Sequence, residues 1–274
     1  MKKPIIIFSI VLILCSCTST KNITYSDYEN IINLVYLQIE NFYIPAFDVS
    51  IDNNNFHAIY QTGYRENIIC KDVLDKLEIK DIDDKNVIIS KIILNNGIVL
   101  DNVAFTVIEP NNDVIKLYFG LSAFNDYNVL LSYKQNKIFL YDNNTLPNYL
   151  DSWVSVPVVF PETGLYIYTI VKGSLKPYLT WLCSGVTFYI GNFKRHYNIV
   201  VNRNVPIATF FKSSVYIDGK EYRNLYFFNS LSDDNKKDHN LDDTLTDIIL
   251  GYDFFSKYDI FIENNSKKVY IEKI

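Results

Sequence analysis

The chain contains one unit twice, and this repeat limits the folds that are open to it. Residues 119–141 and 250–272 share glycine, aromatic and lysine positions at a constant offset of 131 residues, and earlier segments match at an offset of 122 residues. The matched pairs are Gly120/Gly251, Phe124/Phe255, Tyr127/Tyr258 and Lys137/Lys268, then Gly63/Gly185, Gly97/Gly219, Asn102/Asn224 and Phe105/Phe227. The nine additional residues fit a longer linker in the second copy, around the polar run at 232–243. Two copies predict a duplicated, two-lobed protein and not a solenoid.

The first 17 residues are predicted to be a targeting signal. Lys2 and Lys3 precede an apolar run, PIIIFSIVLIL, that is too short to span a bilayer comfortably. The run ends in Leu-Cys-Ser-Cys, which resembles a bacterial lipobox, and Cys17 is the better lipid attachment site because a small residue precedes it. We therefore expect an exported bacterial lipoprotein held at the cell-envelope membrane, on its periplasmic or surface side, by lipid on Cys17. The alternative is an ordinary cleaved signal peptide with an incidental Cys.

The composition favours globular lobes. A hydrophobic fraction of 49%, with 22 Tyr and 18 Phe, supplies enough apolar surface for two compact lobes with their own cores. The composition is not that of a disordered stalk. The net charge is −5 and the sequence has no basic stripe, so we do not expect nucleic acid as a partner.

The pattern of apolar runs predicts a mainly all-β protein with few short helices. Short runs rich in Ile, Val, Tyr and Phe alternate with turn residues, as in successive β-strands. One helix is predicted at 70–79, where Val73, Leu74 and Leu77 share a face, and short helical turns should follow the glycines at 120 and 251. The predicted segments are the signal with its lipidation Cys (1–17), a tether (18–29), an N-terminal lobe (30–145) and a C-terminal lobe (146–274).

Cysteine and histidine do not indicate a metal site. After signal removal Cys70 and Cys183 remain, at non-equivalent places in opposite halves. The sequence allows a disulfide between them but does not indicate one. His57, His196 and His239 lack metal-ligand spacing. We expect neither a metal nor a cofactor.

Each half carries an apolar strand that runs into a tripeptide ending in glycine. The tripeptides are Gln61-Thr62-Gly63 in the first half and Cys183-Ser184-Gly185 in the second. A strand entering a tight glycine turn places the first residue of the tripeptide at the tip of the strand, outside the core. Two such tips, related by an approximate twofold axis, should face each other across a cleft.

This arrangement resembles the aspartic proteases of the retropepsin and pepsin type over about residues 30–272. The stretch FHAIYQTGYRENIICKDVLDKLEI resembles the family's strand, active turn and helix, and ILGYDFFSKYDIFIENNSKKVYI resembles its closing segment. The resemblance implies two closed, barrel-like β lobes, with Gly120 and Gly251 in the later apolar-apolar-Gly motifs. It also implies that the hydroxyls of Thr62 and Ser184 bond across the lobes, and that hairpins at 91–101 and 215–224 act as flaps.

The chain differs from that family at the two positions that hold its catalytic carboxylates. The family uses two carboxylates that share one proton, but the equivalent positions here hold Gln61 and Cys183. An amide cannot act as a general base, and a thiol needs a base, for which His57 is a poorly placed candidate. Asp253, whose partner in the first half is Ser122, offers no replacement pair. Neither do the strand and turn acids Asp48, Asp52 and Asp101.

We therefore expect a membrane-anchored and catalytically inactive protein whose cleft binds an extended peptide or protein segment. One alternative is an active endopeptidase, of aspartic type or dependent on Cys183. The other is a structural lipoprotein that interacts through its outer surface. The polar run at 232–243 is expected to be a solvated loop.

Overall fold

The computed structural model describes residues 30–39, 42–80, 82, 85–110, 114–175, 177–184, 189–191, 210–229 and 248–273. Several residues singled out in the sequence lie outside these ranges, namely Cys17 with the whole segment 1–29, Gly185, His196, His239 and the run 232–243.

The described residues form short strands joined by tight turns. In the first half the strands are β1 Ile31–Asn33, β2 Val35–Ile39, β3 Phe42–Ile51, β4 Asn54–Tyr60, β5 Ile68–Cys70, β6 Asn86–Leu94, β7 Val99–Ile108, β8 Leu117–Phe119, β9 Tyr127–Ser132 and β10 Lys137–Asp142. In the second half they are β11 Val154–Pro157, β12 Tyr166–Val171, β13 Tyr178–Leu182, β14 Tyr189–Gly191, β15 Phe210–Ile217, β16 Lys220–Asn229, β17 Ile248–Leu250, β18 Ile260–Glu263 and β19 Lys268–Ile271. The helices are α1 Lys71–Lys76 and α2 Tyr252–Phe255, with 3-10 turns at Leu121–Phe124, Tyr133–Gln135 and Asn148–Ser152.

Each half builds a curled sheet of its own. In the first half the strand order is β2-β3-β4-β8-β5-β7-β6, and β3 also pairs with β6, so that the sheet curls back on itself. In the second half the order β12-β13-β17-β14-β16-β15 closes into a barrel. The predicted all-β fold with two barrel-like lobes is confirmed.

The strand registers repeat at the two offsets found in the sequence. In the first half β4 lies parallel to β8, with Tyr60 opposite Phe119, and in the second half β13 lies parallel to β17, with Leu182 opposite Leu250. These pairs differ by 122 and 131 residues. The pair β5–β8 recurs as β14–β17 at the same two offsets, and the pair β5–β7 recurs as β14–β16 with both strands shifted by 122 residues. The nine additional residues of the second half therefore fall between β16 and β17.

A third sheet, of six strands, joins the halves. Its order is β1-β10-β9-β18-β19-β11, so three strands come from each half. At its centre β9 and β18 pair antiparallel with Leu130 opposite Phe261, two positions that are equivalent in the repeat. Equivalent residues can lie opposite each other only at the symmetry axis, so the approximate twofold axis passes between these two strands.

Aromatic side chains fill the first lobe. The ring of Phe119 lies 5.7 Å from the rings of both Phe47 and Phe105, centroid to centroid, and all three are buried. These distances lie in the range in which aromatic pairs attract beyond simple area burial. The alternating apolar residues of β3, β7 and β8 thus meet inside one curled sheet.

The helix α1 is shorter than predicted. Val73 and Leu74 are buried as expected, but α1 ends at Lys76, and Leu77 and Glu78 turn the chain, with Glu78 at φ 57°. The predicted span 70–79 was therefore too long at both ends, because Cys70 still belongs to β5. No helix among the described residues is both long and apolar enough to cross a membrane.

The prediction that the hairpins at 91–101 and 215–224 act as flaps was wrong. The turn of the β6–β7 hairpin lies against the six-stranded sheet, where the Asn95 side chain donates a hydrogen bond to the carbonyl of Asn33 in β1 (2.7 Å). In the second lobe the Lys257 ammonium, next to α2, donates to the carbonyl of Asn224 in β16 (2.9 Å). Both hairpins are therefore held at the base of the lobes and do not cover the glycine turns.

Candidate functional site

Two equivalent strands end side by side at the centre of the molecule. Gln61 follows β4 and Cys183 follows β13, and their backbone N–H groups donate to the carbonyls of Phe119 (2.8 Å) and Leu250 (3.0 Å). The Gln61 amide nitrogen lies 3.9 Å from the Cys183 sulfur. Gln61 is half-buried, whereas Cys183 is 0% exposed. The structure thus brings the two predicted tips together across the lobes.

Thr62 and Ser184 bond to each other with twofold symmetry. The N–H of Thr62 donates to the Ser184 hydroxyl (3.0 Å), and the N–H of Ser184 donates to the Thr62 hydroxyl (3.0 Å). Each hydroxyl then donates to a carbonyl of the opposite strand, Thr62 to Leu182 (2.8 Å) and Ser184 to Tyr60 (2.6 Å). Four buried hydrogen bonds therefore fix the two turns relative to each other. This is the contact that the resemblance implied.

Gly63 lies where no side chain fits. A Cβ at this position would stand 2.5 Å from the Cys183 sulfur and 2.6 Å from the Trp181 ring. The Trp181 indole N–H also donates to the Gly63 carbonyl (2.7 Å). Trp181 itself is 3% exposed, packed between the rings of Tyr64 and Tyr166. The first turn is thus clamped by the second lobe.

Gly120 supports the same turn from the first lobe. A Cβ on Gly120 would stand 2.2 Å from the carbonyl oxygen of Glu66, so only glycine allows this close approach. Its N–H donates to the side-chain oxygen of Asn67 (2.9 Å), and Asn67 in turn donates to the carbonyl of Ala104 (3.0 Å). The equivalent Gly251 precedes α2 as predicted.

Aromatic and apolar side chains pack around Cys183. Trp181, Cys183 and Ile249 form a small buried cluster, with Tyr64 and Tyr166 packed against it. Burial, with smaller contributions from Cys183 and Tyr166, raises the pKa of Tyr64 to about 12. Burial also raises the pKa of Tyr133, whose side chain is hydrogen-bonded to Ser184. Both phenols therefore stay protonated at neutral pH and supply no base.

The other candidate groups of the sequence bond elsewhere. His57 lies 2.8 Å from Asp48, its cross-strand partner on an exposed part of the β3–β4 hairpin. Asp253 forms an ion pair with Lys257, four residues further along the chain (2.7 Å).

The other acids singled out in the sequence lie away from the two turns. Asp52 forms the β3–β4 turn, at the opposite end of β4 from Gln61, and Asp101 lies opposite Lys91. The two described cysteines, Cys70 and Cys183, are buried and share no disulfide. Within the described ranges no cluster of His, Cys, Asp or Glu suits a metal ion.

Three residues of the site were missed in the sequence. Trp181 precedes Cys183 by two positions, so strand alternation places both side chains on one face, and this signal could have identified it. Asn67 and Tyr133 carry no comparable signal, because their roles depend on contacts with residues 53 and 51 positions away.

The comparisons with known proteins concern the fold. No protein-family model matches the sequence, and no curated protein matches it either. Among solved structures, the crystal structure of an aspartic proteinase from Irpex lacteus is similar, with a TM-score of 0.57 and 11% sequence identity. The match covers 89% of this chain and 97% of that chain. The chain therefore has a fold like that of an aspartic proteinase.

Proposed function

We propose that this protein is a catalytically inactive relative of the aspartic proteinases that binds an extended peptide or protein segment between its lobes. One observation carries the proposal. The hydrogen bonds that join the two turns through Thr62 and Ser184 are intact, while the positions of the two acids hold Gln61 and Cys183, 3.9 Å apart.

The chemistry of these two residues supports inactivity. Hydrolysis by this class needs one ionised and one protonated carboxyl that together activate water. The amide of Gln61 does not ionise. The thiol of Cys183 is fully buried beside Trp181, and the two phenols that interact with it, Tyr64 and Tyr133, have raised pKa values and stay protonated at neutral pH.

Peptide binding needs none of the lost groups. An extended segment that pairs with exposed strand edges gains main-chain hydrogen bonds, and pockets for alternate side chains give specificity. A floor that is already rigid loses little conformational freedom when a ligand binds. The clamp of Trp181 on Gly63, together with the four bonds of Thr62 and Ser184, supplies that rigidity.

The N-terminal sequence supports a second part of the proposal, membrane anchoring. Lipid on Cys17 would hold the protein at the bacterial cell envelope, and residues 18–29 would separate the lobes from the membrane. Metabolic labelling with a radioactive fatty acid tests this part. Label is expected on the natural chain and is lost in Cys17→Ala.

Selection from a phage-displayed library of random peptides, with the full chain in mild detergent, tests the binding site. Gln61→Trp places a large ring on the floor between the turns and is expected to abolish binding of the selected peptides. Gln135→Trp makes the same exchange in the 3-10 turn after β9 and is expected to leave binding unchanged. Equal binding by both variants would show that the peptides bind elsewhere and would overturn the proposal.

A further inference from the structure

The second lobe carries exposed apolar side chains on the outer face of the β12–β13 hairpin. Tyr168 is 56% exposed, Ile170 is 39% exposed, and Leu175, in the connection between the two strands, is 95% exposed. Strand pairing extends this face, because Tyr168 lies opposite the partly exposed Leu179 and Ile170 lies opposite the partly exposed Tyr216. These five residues form the outer patch. A single exposed apolar residue needs no explanation, but neighbours that form a patch commonly mark a contact surface.

The first lobe has polar residues at the equivalent places. Hairpin β3–β4 is the counterpart of β12–β13 in the repeat, and the cross-strand pair that corresponds to Tyr168 and Leu179 is polar there. That pair consists of Asp48 and His57, whose side chains lie 2.8 Å apart and are half-exposed. Asn55, next to the turn of the same hairpin, is also exposed. The fold itself therefore does not require apolar residues on this face.

The segment that carries the outer patch is positively charged. Residues 163–217 contain six spaced Lys or Arg and no Asp or Glu, although the net charge of the whole chain is −5. Lys172 directly follows β12, and the exposed Lys212 lies in β15, the strand that pairs with β12. Lys172 forms an ion pair with Glu221 (3.5 Å), but its side chain remains 64% exposed. An apolar patch with lysines beside it complements a surface that is apolar inside and anionic outside.

We propose that the outer patch contacts the surface of a lipid bilayer that contains anionic lipids. The apolar side chains would enter the boundary between headgroups and acyl chains, and the lysines would lie among the lipid phosphates. Tyrosine suits this boundary because its ring is apolar and its hydroxyl is polar. The patch runs away from the central turns, since Tyr166, at the start of β12, packs on Trp181, and Leu175 lies beyond the other end of the strand.

The choice of a membrane as the occupant rests on the proposed lipid anchor. Lipid on Cys17 would leave residues 18–29 as a tether, which spans at most about 40 Å when fully extended. That length is comparable to the diameter of one lobe, so the lobes would stay next to the bilayer. A short tether also raises the effective concentration of membrane at the outer patch, and a weak contact is then sufficient to orient the lobes.

Fluorescence quenching at single positions tests the contact. The full lipidated chain is reconstituted in vesicles of phosphatidylethanolamine and phosphatidylglycerol with brominated acyl chains. A fluorophore is attached through Leu175→Cys, since the natural Cys70 and Cys183 are buried. The matched control is Asn55→Cys, at the turn of the equivalent hairpin in the first lobe. We expect the brominated lipid to reduce the emission at position 175 and to leave the emission at position 55 unchanged.

A second variant separates the outer patch from the fluorophore. Tyr168→Asp and Ile170→Asp, added to Leu175→Cys, place charges on the patch and should abolish the quenching. Quenching that persists in this variant would show that the fluorophore enters the bilayer by itself, and the proposal would fail.

Flotation with the vesicles and fatty-acid labelling of Cys17 report on the anchor independently. A labelled chain that floats, with no quenching at position 175 or with equal quenching at positions 175 and 55, would overturn the membrane contact and leave the anchor intact. Quenching at position 175 without fatty-acid label would overturn the anchor and support the contact. A chain that does not float would contradict both.

Discussion

Replacing Thr62 by Val tests the central hydrogen bonds of the molecule at nearly constant side-chain volume. The hydroxyl of Thr62 accepts from the N–H of Ser184 and donates to the carbonyl of Leu182, and all of these groups are buried. Val leaves one donor and one acceptor without a partner. Each such buried group costs about 1–3 kcal/mol, so we expect Thr62→Val to lower the free energy of unfolding by about 3 kcal/mol.

Urea unfolding followed by circular dichroism measures this loss from the midpoint at unchanged slope. Ser184→Ala removes the symmetry-related hydroxyl from the Thr62 N–H and the Tyr60 carbonyl, and also from the Tyr133 side chain, so its loss should be at least as large as that of Thr62→Val. Thr163→Val is the control, because its exposed hydroxyl donates to the Phe160 carbonyl at the surface, and it should change stability by less than about 0.5 kcal/mol. A loss below about 1 kcal/mol for Thr62→Val would show that the two hydrogen bonds of the Thr62 hydroxyl contribute little to stability.

Three further predictions concern the residues around this centre. Gly63→Ala should destabilise the fold by about 1–3 kcal/mol in the same urea assay, because its Cβ would overlap Cys183 and Trp181; unchanged stability would contradict the geometry. Trp181→Phe should lower the free energy of unfolding by about 3 kcal/mol, since it leaves the Gly63 carbonyl without its buried donor and opens space in the cluster. Cys183 should resist alkylation by iodoacetamide in the native protein and react once urea unfolds it, as followed by peptide mass spectrometry; rapid native labelling would show that the thiol is accessible.

The repeat in the sequence predicted much of the architecture because it carries strand register. A constant offset between two copies requires that their strands pair in the same way, and the pairs Tyr60–Phe119 and Leu182–Leu250 obey it. The helical turns after Gly120 and Gly251 were predicted for the same reason. The sequence was sufficient to predict the features that depend on residues close together in the chain, such as these helical turns.

Contacts between distant segments could not be predicted in this way. Trp181 reaches Gly63 over 118 residues, and Asn67 reaches Gly120 over 53, which no local pattern records. The hairpins were misplaced because turn residues such as Asn95 predict a reversal of the chain but not the part of the fold against which the turn lies. The end of α1 was misjudged because helical spacing continued past the residue at which the backbone turns.

Cleavage of a diverse peptide library from about pH 3 to about pH 8 tests whether the natural chain is catalytically inactive. The natural chain is compared with the double variant Gln61→Asp, Cys183→Asp, whose carboxyls would lie close enough to share a proton, since the present side chains are 3.9 Å apart. We expect no cleavage by the natural chain or by either single variant, and cleavage at acid pH by the double variant. Cleavage by the natural chain that disappears in Cys183→Ala would contradict it.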